Sequence, residues 1–111
     1  MNEREFPEAL KRCGGDLELL ASTAVMIGED VPIELKRLTK AIQNGDAHQA
    51  GASAHALKGM LATFEEGAAV NGLRNVESAA FGGDLAVAQT SLDGIRADIL
   101  SLTERIRAVG T

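Results

Sequence analysis

The stretch AIQNGDAHQAGASAHALKGM, residues 41–60, shows how this chain is divided into helices. At its centre, Gly45 breaks one helix and Asp46 is placed to cap the next. The same pattern recurs as GGD at residues 14–16 and again at residues 82–84. Asp30, followed closely by Pro32, predicts a further helix start, because proline is favoured in the first turn. These breaks divide the chain into segments of helical length.

Apolar residues recur at helical spacing between the breaks, and no alternating pattern predicts a strand. The third segment, for example, carries Ala50, Leu57, Leu61 and Phe64 on one side. We therefore predict an all-α protein: an antiparallel up-and-down four-helix bundle with an additional short N-terminal helix, in one domain over residues 1–111. The helices are predicted at residues 5–12, 16–28, 31–43, 47–65, 68–81 and 84–108.

Composition argues against several classes of function. The net charge is −5, from 16 acidic and 11 basic side chains, and aromatic residues make up only 3% of the chain. An acidic chain with few aromatic rings lacks the cations and stacking surfaces that bind nucleic acid, and it does not suit an anionic membrane. The single cysteine, Cys13, cannot form an internal disulfide, and neither an apolar signal region nor a membrane-length run is present. We expect a cytoplasmic protein.

A helical wheel of the third segment places His55 on the face that points away from the core. Leu57, Leu61 and Phe64 fall on the opposite side, at about 100° per residue. Small residues surround the histidine, each within about 60° of it on the wheel: Gly51, Ala52, Gly59 and Ala62. Each glycine costs a helix about 1 kcal/mol relative to alanine. The small residues therefore predict a docking face on which another molecule approaches the imidazole closely.

An exposed histidine with one neighbouring cation suits phosphoryl transfer better than hydrolysis. The neutral imidazole is a good nucleophile near pH 7, because its unperturbed pKa is about 6.5. Lys58 lies one turn away and can offset the phosphoryl charge of about −2. His48 shares the face but lies about 10 Å from His55 along the helix. Because this distance is too great for one shared metal ion, we predict no metal site and interpret His48 as a surface residue.

Two stretches of this chain, one of which contains the motif AHALKG, resemble the histidine-containing phosphotransfer (HPt) domains of two-component phosphorelays. AHALKG contains the histidine and lysine of the family signature, RCGGDLELL at residues 12–20 resembles the opening of many such domains, and residues 41–60 resemble their central helix and its lead-in. The similarity extends over about residues 5–105. In one departure, Glu65 stands where many members have a glycine ten residues after the histidine, so negative charge is expected near the docking face.

The resemblance implies a phosphocarrier in signal transduction, and not an enzyme in its own right. His55 would accept a phosphoryl group from the aspartate of a receiver domain and pass it to another receiver. Lys58 would be the charge partner of the phosphate, and Gly59 the position of close approach. The expected partners are receiver domains of response regulators or of a hybrid histidine kinase, which supply the Mg²⁺ and most catalytic groups. We expect a monomer that carries no cofactor of its own.

Two other interpretations remain open at the level of sequence. One is a helical module that docks a receiver without chemistry, and the other is the phosphoacceptor domain of a chemotaxis-type histidine kinase. The pairing of His55 with Lys58 favours the phosphocarrier over the first alternative.

Overall fold

A computed structural model describes residues 5–111 as an all-α fold. Its helices are α1 (Pro7–Arg12), α2 (Leu17–Gln43), α3 (Ala47–Ala62), α4 (Ala68–Phe81) and α5 (Leu85–Val109). The predicted breaks at GGD and NGD are confirmed. Gly15, Gly45 and Gly83 adopt positive φ angles between 73° and 81°, and the aspartate after each one accepts a backbone N–H from the first turn of the next helix.

The prediction of two helices at residues 16–28 and 31–43 is wrong, because α2 runs unbroken for 27 residues through Pro32. Proline has no N–H, so the carbonyl of Gly28 lacks its usual partner within the helix. The guanidinium of Arg107, on α5, donates to that oxygen from Nε at 3.3 Å and from Nη2 at 3.1 Å. A Cβ at Gly28 would lie 2.8 Å from Cγ of Arg107, so the glycine makes this approach possible.

Helices α2 to α5 pack as an antiparallel up-and-down bundle with extents of 41 × 21 × 20 Å. Neighbours in sequence pack against each other, and α5 returns to pack on α2. The α3/α4 face and the α2/α5 face therefore lie on opposite sides of the bundle. The core is formed by apolar side chains from all five helices and the residues that flank them, and its largest fully buried side chains are Phe6, Leu20, Leu38, Leu57, Leu61, Phe64, Leu73, Leu92, Ile99 and Ile106.

Helix α1 closes one end of the bundle. Phe6 packs edge-on against Phe64, with ring centroids 5.2 Å apart, and the guanidinium of Arg105 lies 5.1 Å from the centre of the Phe6 ring. Arg12 donates to the carbonyls of Ala62 and Thr63 at the end of α3, both at 2.9 Å. These contacts cover the carbonyls that the last turn of a helix leaves without partners.

Glu65 takes part in the same closure, and the predicted end of α3 is corrected there. Helix α3 ends at Ala62 and not at residue 65. The carboxylate of Glu65 accepts two hydrogen bonds from Arg105, at 3.1 and 2.7 Å, and Arg105 also binds Glu5. Both carboxylates raise the pKa of Arg105 above its ordinary value. Glu65 is therefore held in an ion pair with Arg105 at the end of the bundle that α1 closes.

Candidate functional site

His55 lies in the middle of α3 and its side chain is 68% exposed. Leu57, Leu61 and Phe64 are buried on the opposite side of the same segment. The direction of the imidazole follows from this burial, because the apolar stripe fixes the rotation of α3 in the bundle. The helical wheel predicts this orientation correctly.

Glu77, on α4, connects His55 to Lys58. One carboxylate oxygen lies 2.5 Å from Nδ1 of His55, and the other accepts a hydrogen bond from Nζ of Lys58 at 2.8 Å. Only 17% of the Glu77 side chain and 22% of the Lys58 side chain are exposed. The three residues therefore form one polar cluster across the α3/α4 interface, with the imidazole as its outermost member.

The cluster determines the charge of Glu77 and the tautomer of His55. The hydrogen bond from Lys58 lowers the pKa of Glu77 below its ordinary value of 4.5, burial opposes this effect, and the contact with His55 adds to it. An ionised carboxylate only accepts hydrogen bonds, so Nδ1 of His55 carries the proton that it donates. In the neutral ring, Nε2 then holds the lone pair, and it forms no hydrogen bond within residues 5–111.

Glu77 is the site residue that the sequence analysis missed. It stands 22 residues after His55 and belongs to no local motif. The position of Glu77 could nevertheless be found from the fold. When a short connection joins two antiparallel helices, residues that are equally far from the connection lie next to each other. His55 precedes the end of α3 by 7 residues, and Glu77 follows the start of α4 by 9. The apolar stripe of α4, which includes Val76 and Ala80, turns Glu77 toward the edge of α3.

The small residues around His55 divide into two groups. Ala52 and Gly59 are exposed, and a Cβ added at Gly59 would meet nothing within 4 Å. Gly51 is buried, and a Cβ there would lie 2.5 Å from two ring atoms of Phe81. Ala62 is partly buried against the core. The prediction that Gly51 belongs to an open docking face is therefore wrong, because Phe81 of α4 covers it. The open part of the predicted face lies beside Ala52 and Gly59.

His48 lies apart from this cluster. It is exposed near the start of α3, and its ring is 6.0 Å from that of Phe81, centroid to centroid. Within residues 5–111, no three His, Cys, Asp or Glu side chains are placed to hold a metal ion. No helix in the same range has the length and apolar character needed to cross a membrane.

No family model, curated protein or solved structure matches this chain.

Proposed function

We propose that this protein is a histidine phosphotransfer domain that accepts a phosphoryl group on Nε2 of His55. The observation that carries the proposal is the contact between Glu77 and Nδ1, which leaves Nε2 as the exposed, nucleophilic nitrogen. The resemblance of AHALKG to the signature of HPt domains, on an all-α bundle, supports the same conclusion. The donor would be the phosphorylated aspartate of a receiver domain.

The transfer balances without a proton leaving the protein. The lone pair of Nε2 attacks phosphorus, an N–P bond forms, and the P–O bond to the receiver aspartate breaks to release a carboxylate. The imidazole gains positive character while its Nδ1 proton stays on the ring. The Glu77 carboxylate is already in contact with that proton and stabilises the developing charge, which requires no rearrangement during the reaction. Reversal of these steps passes the phosphoryl group to a second receiver.

Lys58 has two roles in this scheme. Its hydrogen bond to Glu77 holds the carboxylate in place and keeps it ionised. The ammonium has two further N–H donors, which can meet phosphoryl oxygens as the group arrives. The receiver would supply the Mg²⁺ and in-line positioning, which account for most catalysis of phosphoryl transfer.

The open surface beside Ala52 and Gly59 supports close approach of such a partner. An aspartyl phosphate is short, so the receiver surface must come near the helix backbone for phosphorus to reach Nε2. The absence of a side chain at Gly59 leaves that space free. Close positioning matters because a displacement of ~1 Å can cost a factor of ~100 in rate.

Transfer of radiolabel from a panel of phosphorylated receivers tests the proposal. We expect wild-type protein to take up label and His55→Gln to take up none, with unchanged helix content. His48→Gln is the matched control, since it removes an exposed imidazole from the same helix, and it should retain transfer.

The alternatives give different results in the same experiment. A docking module without chemistry would bind a receiver and accept no label. The phosphoacceptor domain of a chemotaxis-type kinase would take label from a kinase catalytic domain with ATP. Undiminished labelling of His55→Gln would overturn the assignment of the acceptor.

A further inference from the structure

A second recess lies on the α2/α5 face, opposite the histidine site. It is an open groove of about 520 Å³, bordered by residues 31–43 of α2 and 96–107 of α5. Its floor is formed by buried Val31, Leu35 and Thr103, and Leu100 stands beside it with 52% of its surface exposed. The volume is typical of sites that bind small ligands with a largely apolar body.

The rim of the groove is cationic, although the protein as a whole is acidic. Lys36, Lys40 and Arg96 line it, and none of them forms an ion pair within residues 5–111. The other two charged residues on the rim, Glu104 and Arg107, form an ion pair with each other at 2.6 Å. Arg107 also donates to the carbonyl of Gly28. Three positive charges without acidic partners thus border an apolar floor in a chain of net charge −5. The groove is complementary to an anion.

Two of the three unpaired charges, those of Lys40 and Arg96, lie toward one end of the groove, and that of Lys36 lies near its middle. Helices α2 and α5 are antiparallel, and the contact of Arg107 with Gly28 sets their alignment. Lys40 and Gln43 on α2 therefore lie toward Arg96 on α5, whereas Val31 and Pro32 lie toward the neutralised Glu104–Arg107 pair. The span from residue 31 to residue 43 measures about 18 Å at 1.5 Å per residue. The groove thus has a cationic end and an apolar floor.

We propose that this groove binds a single-headed anionic amphiphile of the fatty-acid type. The carboxylate would lie between Lys40 and Arg96, and the hydrocarbon chain would cover Leu35 and Leu100. Polarity along the groove favours this ligand over one that is charged along its whole length. The proposal is independent of phosphotransfer, because the groove and His55 lie on opposite faces of the bundle.

Titration of the intact protein with dodecanoate, followed by amide NMR shifts, tests the proposal. We expect saturable shifts at residues 31–43 and 96–107, with none at residues 52–59. Dodecyltrimethylammonium has the same chain with the opposite charge and should bind at least about tenfold more weakly. Octanoate should also bind more weakly than dodecanoate, because it buries less apolar surface.

Substitutions separate the two ends of the site. Reversing both charges in Lys40→Glu/Arg96→Glu should weaken dodecanoate binding by about tenfold or more, since two charge-assisted contacts are lost. Leu100→Asp should weaken it as well, and the exposure of Leu100 keeps the fold intact. Lys11→Glu, which reverses an exposed charge on α1, is the matched control and should leave binding unchanged.

Several results would overturn the proposal. The first is binding of dodecyltrimethylammonium as tight as that of dodecanoate. The second is unchanged dodecanoate binding in Lys40→Glu/Arg96→Glu, and the third is a set of dodecanoate-induced amide shifts centred on residues 52–59. Two other occupants would replace the amphiphile. The first is a second copy of the chain, shown by a dimer in sedimentation that Lys40→Glu/Arg96→Glu converts to monomer. The second is an acidic amphipathic peptide, shown by saturable binding of the peptide to the groove when dodecanoate does not bind.

Discussion

Glu77 controls what the exposed histidine can do. The imidazole is on the surface, where an ordinary side chain would be free to rotate and to exchange tautomers. Contact with a mostly buried carboxylate fixes both the ring and the proton on Nδ1. His55 and Lys58 could be predicted from their spacing on one helix. Glu77 could not be found by local pattern, because its role depends on how α4 packs against α3.

Glu77→Gln tests whether the charge of the carboxylate contributes to transfer. The single amide oxygen can still accept from Nδ1, but the NH2 group then faces the Lys58 ammonium and loses that hydrogen bond. The neutral side chain also provides less stabilisation of a positively charged ring. A charge-assisted hydrogen bond is roughly twice as strong as a neutral one, and a loss of about 1.4 kcal/mol corresponds to a tenfold change in rate. We therefore expect transfer from a phosphorylated receiver to slow by about tenfold. A rate equal to that of wild type would show that Glu77 plays no part in the chemistry.

The stability of the fold in acid should also depend on Glu77. Its pKa is lower in the folded protein than its ordinary value of 4.5, so the ionised form stabilises the fold above about pH 4.5. That contribution is lost as the pH falls through the folded-state pKa. Urea unfolding at a series of pH values should therefore give a shallower acid-induced loss of stability for Glu77→Gln than for wild type. Glu8→Gln, on the exposed side of α1, should retain the wild-type slope.

Helix α2 shows where sequence patterns mislead. An aspartate followed by a proline is a typical helix start, and the apolar stripes on either side of residues 29–30 are each long enough to form a helix. The chain nevertheless continues as one helix, because Arg107 satisfies the carbonyl that Pro32 leaves free. That donor lies 79 residues away, beyond the reach of any local rule. The GGD and NGD breaks were predictable because their glycine and aspartate act within a single turn.

A double-mutant cycle between Pro32 and Arg107 tests this explanation. Arg107→Met removes the donors and keeps much of the aliphatic packing, so the carbonyl of Gly28 loses its partner. Leaving a polar group unsatisfied costs about 1–3 kcal/mol. In a Pro32→Ala background, the new N–H at residue 32 takes over that carbonyl, and Arg107→Met should cost less than about 0.5 kcal/mol. Equal costs in the two backgrounds, measured by urea unfolding, would contradict the explanation.

Two helical glycines should respond oppositely to alanine. At Gly59 the new Cβ would meet nothing within 4 Å, so Gly59→Ala should stabilise the protein by up to about 1 kcal/mol. At Gly72 it would lie 2.2 Å from Cγ2 and 3.1 Å from Cβ of Ile95, so Gly72→Ala should destabilise it by about 1–3 kcal/mol. Thermal melts measure both effects. A lower melting temperature for Gly59→Ala would mean that the surface beside His55 is not open.

The bundle as a whole separates two surfaces of different character. The α3/α4 face presents a polar cluster with an exposed imidazole, and the α2/α5 face presents an apolar groove with a cationic rim. The fold class was predictable because apolar stripes and capped breaks repeat along the whole chain. The groove could not be predicted from the sequence, because Lys40 and Arg96 are far apart in the chain and come to line the same groove only when α5 packs against α2. The closure by Phe6, Phe64 and Arg105 likewise depends on both ends of the chain.

The most direct test of the proposed chemistry identifies the ring nitrogen that carries the phosphoryl group. The protein is labelled with ¹⁵N, phosphorylated by a receiver, and examined by long-range ¹H–¹⁵N NMR of its two imidazoles. We predict phosphorylation of His55 at Nε2, with Nδ1 still protonated and bound to Glu77, and an unmodified His48. Phosphorylation at Nδ1 of His55, or at His48, would contradict the central role assigned to Glu77.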